Sequence, residues 1–156
     1  MLRASNLAGK AINITTTTAP HAISYPLTTF FGIQHGHAVA LILGYFFEIN
    51  SSTDKYKVQD PRGEKYLLKT MNELFDVFSV NTPKECFEAW QNLMKSIGLE
   101  TSFCKMGVCS NSDRKIITNN VNLQRLSNNP VEICDKVIAQ ILLSSSLNNR
   151  KGLYDE

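Results

Sequence analysis

The run from Ala38 to Phe47 contains no charged residue and is bounded by His37 and Glu48. It is about ten residues long, whereas a membrane span needs about twenty. Read as a helix, it is apolar on nearly every face, so other elements of the same domain must cover it on all sides. This requirement constrains the chain more than any other feature. It calls for a multi-helix packing with this segment at its centre. The material for the cover exists, since 43% of the 156 residues are apolar, and the length suits a single domain.

The flanking segments read as helices. Leu2 to Ile12 looks like the tail of a helix, and Ile14 to Thr18 is a connector. Thr18 can cap the next helix, with Pro20 just inside it, where a missing N–H costs nothing. Pro26 is expected to kink or end that helix. Asn50 to Gly63 is polar, contains Pro61 and reads as a surface loop. Glu64 to Phe78 carries Leu67, Leu68, Met71, Leu74, Phe75 and Phe78 at helical spacing. Thr82-Pro83-Lys84-Glu85 is a capping box. It opens a helix expected to bury Phe87, Trp90, Leu93, Met94 and Ile97, and Gly98 ends that helix. Thr101 to Asn111 is a loop. Ser110 or Ser112 starts a helix through Ile116, Ile117, Val121 and Leu123. Asn129-Pro130-Val131-Glu132 repeats the start signal ahead of a last stripe of Val137, Ile138, Ile141 and Leu142. The tail from Asn148 is polar and is expected to fray. No convincing strand and no fixed-period repeat emerges. The fold class is therefore all-α, a bundle-like single helical domain over residues 1–156 with about six helices.

A formal charge of +2 gives no electrostatic reason for a nucleic acid or an anionic membrane as partner. The four cysteines, Cys86, Cys104, Cys109 and Cys134, form no C-x-x-C pair. No leader with a basic start and an apolar middle is present. The chain is accordingly expected to be cytoplasmic, with its cysteines as reduced thiols or core filler.

All three histidines, His21, His35 and His37, lie within seventeen residues. His21 sits at a helix start, and His35 sits in a turn flanked by Gly32 and Gly36. Two helices with a tight connection can bring those two rings to one point. Imidazole suits Zn, Fe, Ni and Cu alike, so spacing does not choose a metal. On the residues alone, a satisfied core histidine remains an open alternative.

Three segments carry a more specific signal: Ala8-Gly9-Lys10-Ala11-Ile12-Asn13, Thr18-Ala19-Pro20-His21-Ala22-Ile23-Ser24-Tyr25-Pro26-Leu27 and Phe31-Gly32-Ile33-Gln34-His35-Gly36-His37-Ala38-Val39-Ala40. Together they resemble the iron-containing (group III) alcohol dehydrogenases. Asn128-Asn129-Pro130-Val131 resembles a late helix start of the same family. The resemblance implies the C-terminal, all-helical, metal-binding domain of an enzyme whose N-terminal α/β domain binds NAD(P). It implies that His21 and His35 are the last two of four metal ligands, an Asp and three His, with Fe²⁺ or Zn²⁺ as the ion. The Asp and first His of that set, an Asp-x-x-x-His pair, have no counterpart among residues 1–20, and no Gly-rich phosphate-binding turn occurs. No catalytic residue is assigned within this chain.

Where some relatives carry a His that approaches the nicotinamide, this sequence has Tyr25. That residue either lines the substrate pocket or packs with its hydroxyl bonded. Gln34 replaces a Pro common before the last metal His, which leaves the turn less rigid. His37 is not a family-wide ligand; a pocket role, a role behind the ligands and a helix-start role all stay open. The wording around His21 resembles subgroups linked to small aldehydes, including phosphonate-pathway aldehydes.

The resemblance thus implies part of an enzyme interconverting small alcohols and aldehydes with NAD(P)H, inactive without an N-terminal half. The alternatives are a non-catalytic helical module or split-protein subunit, or a fragment like glycerol dehydrogenase or dehydroquinate synthase. With the upstream helices absent, self-association or pairing with an N-terminal half is expected through a bare face near Val39, Ile42, Leu43 and Phe46. Otherwise residues 1 to 20 fold back and plug that gap.

Overall fold

The computed structural model describes residues 1–144, and these form eight helices. In chain order they are α1 (Leu2–Ile14), α2 (Ala19–Phe31), α3 (His35–Ser51), α4 (Glu64–Phe78), α5 (Pro83–Ser96), α6 (Asn111–Asn119), α7 (Leu123–Leu126) and α8 (Asp135–Ser144). The all-α class holds. The count exceeds six partly because the helix expected to run through Leu123 breaks after Asn119. Asn122 then caps the single turn of α7 by accepting the Arg125 N–H at 2.9 Å. No helix among the described residues is long and apolar enough to cross a membrane.

The apolar helix α3 is central, packing chiefly on α2 and α5 and also on α4. Leu41, Ile42, Phe46, Phe47 and Ile49 are buried. The approach of α5 is close because Gly44 has no side chain. A Cβ there would stand 3.0 Å from Trp90 Cδ1 and 3.2 Å from Phe87 Cδ2. One turn away, the Trp90 indole N–H donates to the Ala40 carbonyl at 2.9 Å, fixing the register of the two helices. The face expected to be bare around Val39, Ile42, Leu43 and Phe46 is largely covered: Ile42 is 0% and Phe46 2% exposed, and Val39 and Leu43 are half-buried. The plug is not present. No residue of α1 is buried, and Leu2, Leu7, Ile12 and Ile14 all face solvent. Helices α2, α4 and α5 are enough to surround α3.

Other expectations need correction. Pro26 neither ends nor visibly breaks α2, which continues to Phe31. The ring forgoes one hydrogen bond to the Ala22 carbonyl, but Pro26 and Leu27 are both buried and packing holds the next turn in place. Helix α5 buries Cys86, Phe87 and Met94, while Leu93 and Ile97 are exposed, so its inward stripe is narrower than the apolar pattern. Asn129-Pro130-Val131-Glu132 does not begin a helix. Val131 pairs with Val58 in an antiparallel bridge, and the Glu132 N–H donates to the Lys57 carbonyl. The buried Asn129 amide is spent on Asn50 Oδ1 and the Val131 carbonyl rather than on a cap. The last helix starts at Asp135 instead, and its stripe is buried as expected. The tail from Asn148 lies outside the described residues.

The cysteines also differ from the expected reduced set. Cys104 and Cys109 form a disulfide, with Cα atoms 4.3 Å apart. Phe103 and Val108, each fully buried beside one of these cysteines, fold the loop back on itself and bring the thiols together. Only Cys86 is core filler; burial pushes its thiol up to about 11. Cys134 is exposed.

Candidate functional site

The site is built where α2 begins and α3 begins. Thr18 stands at the N-cap of α2. Its side chain makes no cap bond, but its carbonyl accepts from the His21 and Ala22 N–H groups. His21, Ser24 and Tyr25 follow at spacings of three and four, so they share one helical face. At the other end of α2, Gly32 adopts φ +66°, a left-handed conformation that glycine enters without steric cost. The Ile33 N–H then donates to the Leu27 carbonyl. The chain is thereby turned back along α2, and α3 starts beside Ser24 rather than beyond the end of α2. Gln34 adopts φ −54° and ψ 133°, a conformation open to proline, so the turn holds its shape without one.

This reversal brings His21 and His35 together, with ring centroids 5.6 Å apart. Two imidazoles sharing one ion have centroids about 5 Å apart, given metal–nitrogen bonds of about 2.0–2.1 Å. Their separation therefore fits a common ion with little movement. Tyr25 stacks on His35 at 5.4 Å and 28°, which limits rotation of that ring. The buried Ser24 hydroxyl donates to the His21 carbonyl at 2.8 Å and lies 3.4 Å from His35 Nδ1. Its one proton being used on the carbonyl, Ser24 faces His35 as an acceptor. In that arrangement the His35 tautomer protonated at Nδ1 keeps a lone pair on Nε2. Burial, and secondarily the neighbouring His35, lower the pKa of His21 and favour its neutral, ligating form. Among the described residues, no group of three or more His, Cys, Asp or Glu is placed to hold a metal ion.

His37 is not part of this cluster. Its Nε2 lies 2.7 Å from the Glu100 carbonyl, tying the start of α3 to the loop that carries the Cys104–Cys109 disulfide. Two residues beyond His35 on a helix, a side chain points away from its neighbour's face. Sequence reasoning missed two members of the site. Ser24 is one. The signal available for it was a hydroxyl three residues after His21 on the same helix. The other is Arg125, whose guanidinium carbon lies 4.6 Å from the centroid of the Tyr25 ring. No local motif points to it, because α7 reaches α2 only through tertiary packing.

A family model described as the Fe-containing alcohol dehydrogenase family, C-terminal, matches residues 1–146. The phosphonoacetaldehyde reductase of Streptomyces viridochromogenes is 38% identical over 72 residues, which cover 46% of this chain and 18% of that protein. The crystal structure of sulfoacetaldehyde reductase from Bifidobacterium kashiwanohense in complex with NAD⁺ matches with a TM-score of 0.62 at 26% identity. That match covers 85% of this chain and 32% of the reductase. The chain thus matches about a fifth and a third of the lengths of these two relatives.

Proposed function

Because this chain belongs to the Fe-containing alcohol dehydrogenase family, whose C-terminal model it matches over residues 1–146, we propose that it forms the helical, metal-binding part of an NAD(P)H-dependent reductase of small aldehydes. The observation that carries the reading is the convergence of His21 and His35 from two separate helices, with Ser24 behind them setting the tautomer of His35. His21 and His35 Nε2 hold Fe²⁺ or Zn²⁺. Groups outside these residues complete the set, since the described ones offer no third ligand in reach. The ion, when bound, supplies Lewis-acid polarisation of the substrate oxygen during hydride exchange with a nicotinamide.

The chain's own residues bind and orient. Ser24 keeps the His35 lone pair directed outward, and Tyr25 holds the plane of that ring and forms one wall of the approach. His37 braces the α3 start against the Glu100 loop rather than touching substrate. The two similar reductases are named for aldehydes that carry a phosphonate or a sulfonate. A short anionic aldehyde is therefore the substrate class we assign. The match to the alcohol dehydrogenase model also favours this reading over a glycerol-dehydrogenase-like or dehydroquinate-synthase-like one.

Titration calorimetry with Zn²⁺ and Ni²⁺ tests the metal assignment. Binding is expected to be weak in the isolated chain and lost on either His21→Ala or His35→Ala. Tight binding that survives both substitutions would overturn it. A chain that binds no metal at all would support the non-catalytic module. The chain alone, given NADH or NADPH and a panel of aldehydes, is expected to show no turnover.

A further inference from the structure

We propose that Arg125 is the specificity residue of this site, gripping the anionic group of the substrate beside Tyr25 while the aldehyde end reaches the paired histidines. The inference rests on the metal reading above and adds to it the residue that selects the substrate class.

Four observations carry it. First, Arg125 is an exposed cation with no ion pair among the described residues. Arg62, by contrast, is matched to Asp60 at 2.7 Å, and Arg114 is bonded to Asn111 and the Cys109 carbonyl. Second, its guanidinium lies over the Tyr25 ring at 4.6 Å. A guanidinium held against a ring still has N–H donors that the ring cannot satisfy, and its planar fork matches a phosphonate, sulfonate or carboxylate with two parallel hydrogen bonds. Third, its backbone is held in place. Asn122 caps its N–H, Leu126 beside it is buried, and the Asn128 amide donates to the Thr17 carbonyl just ahead of α2. Fourth, no acidic residue competes for it locally. Residues 15–47 and 114–131, which contribute α2, most of α3 and α7, contain no Asp or Glu.

Tyr25 touches both kinds of group: the Arg125 guanidinium carbon lies 4.6 Å from its ring centroid, and the His35 ring, itself 5.6 Å from His21, lies 5.4 Å from it, which gives the site a cationic pole and an imidazole pole. A small molecule with an oxygen for the metal and an anion a few bonds away spans these two poles. A neutral aldehyde of the same size satisfies only one of them.

The test is binding by the full chain. We would titrate 2-hydroxyethanesulfonate, ethylene glycol and ADP-ribose into the Zn²⁺-loaded chain and follow the Arg125 Nε–H resonance by NMR together with affinity. The expected result is a preference for the sulfonate over the glycol that falls by about tenfold in Arg125→Gln, as for loss of hydrogen bonds to a charged group. Arg125→Lys should restore the preference only in part. Zn²⁺ affinity should be the same in both variants and in wild type. A sulfonate preference unchanged in Arg125→Gln would overturn the proposal. So would a variant that loses ADP-ribose binding but keeps the sulfonate, which would assign Arg125 to cofactor phosphates. Failure of the metal reading is distinguishable, because the sulfonate's shift of the Arg125 Nε–H is also read in the metal-free chain, where no Zn²⁺ is needed.

Discussion

Helices α1 and α3 invite comparison because both are rich in alanine, leucine and isoleucine, yet one has no buried residue and the other is the centre of the core. Helix α3 meets α2, α4 and α5 on successive sides, and its apolar run is satisfied within the described residues. Helix α1 also alternates small and large apolar side chains, but Leu7 and Ile12 each remain 56% exposed. Apolar content makes a helix able to be buried. Whether it is buried depends on a neighbour of matching shape, as Gly44 shows by admitting Trp90 and Phe87.

The largest expected effect separates the two helices directly. Ile42→Ala removes a fully buried side chain from α3 and is expected to cost about 2–5 kcal/mol in chemical denaturation. Leu7→Ala in α1 should stay within about 0.5 kcal/mol, as for other exposed positions. Comparable losses at the two sites would mean that α1 is packed in solution. Next comes Gly44→Ala. Its new methyl group meets Trp90 and Phe87 at 3.0–3.3 Å, and overpacking of this kind costs about 1–3 kcal/mol. An unchanged denaturation midpoint would show that α5 can retreat from α3 freely.

The third prediction concerns the site at the start of α3. Ser24→Ala removes the acceptor facing His35 Nδ1 and should weaken Zn²⁺ binding by about 10–100-fold, as loss of such outer partners commonly does. Calorimetry reads this, with the helical circular dichroism expected to be unchanged. The smallest effect is on pH. Burial lowers the pKa of His21 in the folded chain, so the unfolded chain takes up the proton first as pH falls. Stability should therefore be fully present above about 6.5 and decline through the range below it. His21→Gln should flatten that decline, as seen in thermal melts across the same range. An identical slope in the variant would place the titrating group elsewhere.

Much of the helical framework was legible in the sequence. The Thr82 capping box, the stripe of Glu64–Phe78 and the apolar run of α3 are local signals, and the structure realises each of them. Pro26 and Asn129-Pro130-Val131-Glu132 were misleading for one reason. Each is a local signal overruled by a partner distant in sequence: core packing around Pro26, and the Lys57–Gln59 segment alongside Val131. In the site, spacing showed only that His21 and His35 could meet, and the family resemblance singled them out; the turn at Gly32 does bring their rings together. Ser24 was only partly legible, since a hydroxyl in a helix usually bonds its own backbone.

The sequence by itself determined the all-helical class, the central place of α3 and the short turn that lets His21 and His35 meet, because periodicity, caps and short turns act over a few residues. Only the tertiary structure decided which apolar helix is covered, that Cys104 meets Cys109, that His37 turns to Glu100, and that Arg125 lies over Tyr25. Those outcomes depend on how helices and the 97–110 loop pack against the core. Packing is set by shape and contact between residues as far apart as Tyr25 and Arg125, and no pattern of neighbours along the chain encodes it.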